Sequence, residues 1–236
     1  HTLRSQGFSS YVVDTTQPDM AIPAHYSLVP GFAFRERTHP ASLGLFAGRI
    51  LAEQAPENEA REGLNLLEHL YPKAHFLPFF QGLLALRLGQ NAKAHQAFVQ
   101  AEPAQPTVLD QGFAAFYQAY SLGQEGDWDL AEQALNRAIE LAPDVHAFYN
   151  LRGVRFFQAK DYERAIADFQ AALRLDPGSV MDLANLGVCL KRNGRLQEAE
   201  HYLQTSLDMD PGLEGVRAEL EDLLGRDENQ RSGLPD

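Results

Sequence analysis

Five of the thirteen prolines keep a near-constant distance: Pro72, Pro106, Pro143, Pro177 and Pro211 stand 34, 37, 34 and 34 residues apart. A period of that length means one supersecondary unit copied along the chain, each copy too small to bury its apolar face without its neighbours. Setting each proline near the end of a unit gives repeats 41–74, 75–108, 112–145, 146–179 and 180–213, with Leu109-Asp110-Gln111 left over as an insertion. Twelve residues before every proline stands an alanine: Ala60, Ala94, Ala131, Ala165 and Ala199. A column of small residues runs through Gly48, Gly82, Ala119, Gly153 and Gly187, and a bulky one through Leu64, Phe98, Leu135, Phe169 and Leu203. Small residues let two helices approach and large ones fill the space between them, so each unit is predicted to be an antiparallel helix pair. The proline stops the second helix because it cannot donate to the backbone ladder.

The segments "HAFYNLRGVRFFQAKDYERAIADFQAALRLDPGS" (146–179) and "VMDLANLGVCLKRNGRLQEAEHYLQTSLDMDPGL" (180–213) resemble the tetratricopeptide repeat. The first two units depart from that pattern: Gly44 and Pro78 take a column usually filled by a large residue, and "QAPENE" obscures the first inter-helix turn. The resemblance implies an all-α fold, a right-handed superhelix of five helix pairs within a domain at 41–225. A capping helix is expected at 214–225, where Val216, Leu220, Leu223 and Leu224 form an apolar set on an acidic background. The polar residues 226–236 are expected to fray.

In this family the first helices of successive units line a concave groove that grips an extended peptide or a partner helix. Position by position, the resemblance places there Arg49 from the first unit and Phe76, Phe79, Phe80, Leu83 and Arg87 from the second. The third unit gives Phe113, Phe116, Tyr117 and Tyr120, the fourth Asn150, Val154, Phe157 and Gln158, and the fifth Asn185, Val188, Lys191 and Arg192. "HFLPFF" and "GFAAFYQAY" set rings at three- and four-residue spacing, so they share a helix face, either open in the groove or packed between repeats. The lysines, asparagines and arginines of the family's carboxylate clamp are not matched, so chaperone-tail binding of that type is not expected. Arg152 takes a column usually apolar, and a buried charge needs a partner, for which Asp168 on the same unit's second helix is the candidate.

Composition narrows the function classes. A net charge of −12, from 20 basic and 32 acidic residues, opposes attraction to phosphate backbones, so no nucleic-acid partner is expected. No window approaches the ~20 apolar residues needed to cross a bilayer, so no membrane partner is expected either. The single Cys189 excludes an intramolecular disulfide framework and a cysteine zinc site, which suits a reducing, cytoplasmic setting. None of the eight histidines forms a helical metal-binding pair with a nearby carboxylate, and neither a glycine-rich phosphate loop nor a nucleophile elbow occurs. Cys189 is expected to be a buried, inert thiol. No catalytic residue, metal or cofactor is therefore expected, and the chain taken alone reads as a non-enzyme.

Residues 1–40 differ from the rest. "YVVDTTQPDMAIPAHYSLVPG" holds two β-prone runs punctuated by Pro18, Pro23 and Pro30. Its order, a strand ending in Asp14-Thr15, a proline turn, and a strand ending in Val29-Pro30-Gly31, resembles the closing strands of YcaO-type domains. That resemblance implies the carboxyl-terminal part of a larger protein that uses ATP to activate a peptide backbone amide, with its nucleotide and magnesium residues upstream of His1. Two functions follow: a protein- or peptide-binding module with an aromatic groove, or a structural or dimerisation tail of such an enzyme. Unpaired strands seek partners, so the arm is expected either to fold over the groove or to pair with another copy in a homodimer.

Overall fold

The computed structural model describes residues 11–14, 25–28 and 43–232, with side chains described from 43 to 225. The chain divides into two units, His1–Ser42 and Leu43–Asp236. In the first, β1 (Tyr11–Asp14) and β2 (His25–Leu28) pair antiparallel, with Tyr11 opposite Leu28 and Asp14 opposite His25. The rest of residues 9–31, on which the YcaO resemblance leans, lies outside the described residues.

The second unit is a stack of helix pairs. The first helices are α1 (Leu43–Glu53), α3 (Phe76–Arg87), α5 (Val108–Glu125), α7 (His146–Gln158) and α9 (Val180–Arg192). Their partners are α2 (Glu57–Leu70), α4 (Asn91–Ala101), α6 (Trp128–Leu141), α8 (Tyr162–Leu175) and α10 (Leu196–Met209), and α11 (Glu214–Ser232) closes the stack. The alanine of every unit, from Ala60 to Ala199, is buried. In three units the small and bulky columns are two halves of one contact. A Cβ added to Gly82, Gly153 or Gly187 would stand 2.7, 2.9 or 2.8 Å from Phe98, Phe169 or Leu203, so the glycine on the first helix is the seat of the large side chain on the second. The first unit solves the same problem differently. A Cβ on Gly48 would meet Phe80 and one on Gly44 would meet Phe76, both from α3, so rings of the next unit occupy the room that α1 leaves.

Four of the turns within pairs are closed the same way. The N–H groups of Gln90, Asp127, Asp161 and Arg195 donate to the carbonyls of Ala85, Leu122, Phe156 and Leu190, the long bond of a Schellman ending. The residue before each donor is left-handed: Gly89, Gly126 and Gly194, but Lys160 in the fourth unit at φ 61°. Asp127 and Asp161 then accept from the backbone N–H of Leu130 and Arg164, capping the next helix.

Leu109-Asp110-Gln111, expected as an insertion, lies inside α5. That helix has 18 residues against 12 in α3 and 13 in α7, and its start is capped by Thr107, whose hydroxyl accepts from the Asp110 N–H. Three extra residues are close to one turn, so the longer spacing is absorbed as helix without breaking the register downstream. The polar tail differs as well, because α11 continues through it to Ser232. Leu220 and Leu223 of α11 join the core formed by Leu186, Leu190, Leu203 and Leu207.

Candidate functional site

Aromatic rings link the first helices of the second, third and fourth units, α3, α5 and α7. Tyr117 on α5 stacks on the fully buried Phe98 with centroids 5.2 Å apart and meets Phe79 of α3 edge-on at 5.6 Å. Phe116, 5.3 Å from Tyr117, stacks on the fully buried Phe148 of α7, and Phe113 meets the same ring edge-on. The result is a continuous ladder of rings across three units, in geometries that aromatic quadrupoles favour. Phe79, Phe113, Phe116 and Tyr117 are half-buried on it, and Tyr120, one turn further along α5, is 40% exposed. The Tyr117 phenol is pushed above its usual range, first by burial and then by the nearby Glu53 carboxylate and Tyr120.

The remaining expected groove residues separate into core, seam and surface. Phe76 and Phe80, at 4% and 6% exposure, belong to the core between the first two units and are corrected from surface to packing, because they fill the space above Gly44 and Gly48. Arg87 is exposed at the end of α3. Asn150 donates to the buried Asp182 of α9, whose second oxygen lies 3.5 Å from His146 Nδ1. Asn185 is half-buried, and Phe157 packs against Tyr162 at 5.7 Å. Lys191 is buried, contrary to the expected open cation: its ammonium donates to Glu219 Oε2 at 2.7 Å, to the Glu219 carbonyl at 2.6 Å, and pairs with Asp222 at 2.7 Å. Arg192 is exposed but donates to the other Glu219 oxygen at 2.8 Å. Lys191 and Arg192 therefore both hold the closing helix. Arg49 likewise spends its charge on Glu53 in its own helix.

Three polar arrangements sit at the seams. Arg152 meets Asp168 through two bonds of 2.7 and 2.8 Å, as its misfit column predicted, and adds a third to Asn136 of α6 at 2.6 Å. Gln118, buried on α5, donates to the Phe98 carbonyl and to Glu102, while Arg137 joins the same Glu102 and Gln118. The Arg155 guanidinium lies 5.3 Å over Trp128, a ring seated against Gly123. The Gln118 and Trp128 contacts join residues far apart in sequence and carry no local motif. The aspartate at 182 did carry a hint, since Ser179 followed three residues later by an acid is the pattern of a helix start; its carboxylate turns instead to the neighbouring unit.

Chemistry is sparse. Cys189 is buried, and its thiol is pushed up to about 12, first by burial and then by Glu163, so it stays protonated and unreactive at neutral pH. Among the described residues no group of three histidines, cysteines or carboxylates could hold a metal ion, and no helix is long and apolar enough to cross a membrane.

The geometry defines a class, a solenoid of helix pairs in which aromatic rings join α3, α5 and α7. Residues 116–180 and 156–224 match family models of the tetratricopeptide repeat. The chain is 32% identical over 94 residues to small glutamine-rich tetratricopeptide repeat-containing protein 2 of Mycosarcoma maydis, a match covering 40% of this chain and 27% of the relative. It is 29% identical over 113 residues to the STIP1 homolog of Dictyostelium discoideum, covering 48% of this chain and 19% of that protein. The chain thus spans under a third of the length of these curated relatives. Among solved structures it is similar to YrrB, described as a tetratricopeptide-repeat protein with an unusual peptide-binding site, with a TM-score of 0.60, 18% identity, and 74% of this chain and 88% of that one covered. MamA from Desulfovibrio magneticus RS-1 is similar at a TM-score of 0.61 and 18% identity, over 72% of this chain and 95% of that one.

Proposed function

We propose that the repeats are a protein-interaction module that holds a peptide or partner segment along the side carried by the first helices. The reading is supported above all by the aromatic ladder from Phe79 to Phe113, with Tyr117 half-buried on it and Tyr120 exposed one turn further along α5. A tyrosine held on a rigid ring stack offers contact area at low entropic cost, the usual makeup of a binding hot spot. Phe116 and Tyr117 also pack the seams, so truncating them removes core as well as surface. Tyr120 separates the two roles. In selections from a random peptide display library, Tyr120→Ala is expected to lower capture of enriched peptides at least tenfold with helicity unchanged, whereas Leu175→Ala, on the exposed end of α8, leaves capture intact. Equal capture by Tyr120→Ala and the unmodified chain would sink the reading.

A second function, the tail of a YcaO-type peptide-backbone-modifying enzyme, is supported by the pairing of β1 with β2, with β1 ending on the acidic Asp14. A two-stranded piece is marginal alone and gains from a larger sheet. An ATP-binding core encoded directly upstream of His1 would support it, and an unrelated upstream sequence would remove it.

A further inference from the structure

The second helices of the middle units are tied to one another by side chains. Arg137 of α6 pairs with Glu102, the residue that follows α4, at 2.7 Å, and Arg164 of α8 reaches Glu132 of α6 at 3.4 Å. Between α2 and α4 no such bond crosses among the described residues. Arg61 pairs with Glu57 of its own helix at 2.8 Å, and Lys93 donates to Gln90, three residues before it, at 3.2 Å. What stands there is an open cleft of about 350 Å³, walled by α2 and α4 and floored by α3. Helical spacing puts Gln81, Leu84 and Leu88 on the side of α3 opposite Phe79, so the cleft and the aromatic ladder use different faces of that helix.

The lining is sorted by depth. Leu64 and Leu84, at 3% and 6% exposure, form an apolar floor with the half-buried Leu88. Asn65, Gln81, Gln96 and Gln100 stand around it, and their side-chain amides make no hydrogen bond among the described residues. Arg61 and Lys93 are exposed, one on each wall. No carboxylate lines the cleft, in a chain with 32 acidic residues. Glu57, outside the lining, engages Arg61, but with side chains 50% and 45% exposed that pair is weak and open to exchange.

We propose that this cleft binds an extended, acidic peptide segment of a partner protein. One apolar side chain of the segment rests on Leu64, Leu84 and Leu88, its backbone meets the amides, and a carboxylate meets Arg61 and Lys93. A side-chain amide both donates and accepts, so the four amides match the alternating N–H and C=O groups of an extended backbone. Two cations with no carboxylate beside them in the lining select an acidic side chain, on a chain whose charge of −12 repels acidic segments elsewhere. Pockets for small ligands cover about 70–90% of the molecule they hold, which an open cleft does not do, so the occupant is a stretch of a longer chain crossing it. The cleft shares no residue with the Tyr120 face, so the two can fail separately.

The test takes clones from a random peptide display library captured by the full 236-residue chain and measures each against Lys93→Glu, Arg61→Glu and Tyr120→Ala. A class of clones is expected that loses about tenfold in capture with either charge reversal and none with Tyr120→Ala, and that carries aspartate or glutamate around one large apolar residue. Both reversed sites are exposed, so the fold is retained, and circular dichroism checks it. One such peptide is then synthesised with a fluorescent label, together with a form in which lysine replaces each acid. The acidic form is expected to bind the unmodified chain and to weaken several-fold between about 50 and about 500 mM salt, while the lysine form prefers Lys93→Glu. Clones that all follow Tyr120, or cleft-dependent clones without acidic residues, overturn the proposal. So does an acidic peptide that binds Lys93→Glu as tightly as the unmodified chain.

Discussion

Lys160 holds a left-handed backbone that three other units give to glycine, at φ 61° against 67, 83 and 83°. A side chain in that region costs about 1–2 kcal/mol, and part of the relief on replacing it is returned as glycine's unfolded-state entropy. Lys160→Gly is therefore expected to stabilise the protein by about 0.5–1 kcal/mol in urea unfolding, with the slope unchanged. Arg152 shows the opposite balance. Asp168→Ala leaves its part-buried guanidinium with Asn136 as its hydrogen-bond partner beside the Tyr149 and Phe156 rings and is expected to cost about 2–3 kcal/mol, less than for a fully buried charge because Arg152 keeps some water. Adding Arg152→Leu, which restores an apolar column, should recover most of that loss, and a double-mutant cycle by denaturation measures it. This pair was legible in the sequence, because a repeat column says where a charge is out of place and which residue faces it. Lys191 was not. Its position matches a groove site, and its burial depends on a helix from outside the repeat pattern.

That helix, α11, is held by Leu220 and Leu223 in the core and by the Lys191 and Arg192 pairs. Lys191→Ala removes the ammonium that joins Glu219 and Asp222, two carboxylates exposed enough to rehydrate, so the expected cost is about 1–3 kcal/mol. Hydrogen exchange should localise the loss: amides of Leu220 to Leu224 exchange faster while those of α5 stay protected. The units themselves were readable from the prolines and the alanine column because the alanine is buried in the first turn of each second helix and the proline follows that helix's end. The boundaries of α5 were not, since three extra residues add a loop or a turn of helix equally well until Thr107 is seen to cap the start. The first unit looked degenerate because its missing large residues are contributed by Phe76 and Phe80 of the next, a substitution between units that no single-unit pattern displays.

Across the whole stack, the aromatic residues named as a groove divide between packing and surface. Rings repeated at helical spacing identify a shared face but not whether a neighbour covers it, so Phe76 and Phe80 went to the core while Tyr120 remained open. In a linear stack each unit leans on its neighbours alone, and stability is a sum along the row. Trp128 acquires a use from that arrangement. It is the chain's one tryptophan, set between Gly123 and the Arg155 guanidinium where α5, α6 and α7 meet. Its fluorescence is thus a built-in optical gauge of the middle of the row, whereas circular dichroism averages all the helices. Any gap between the two melting curves reads out directly how far cooperativity reaches from the centre to the ends.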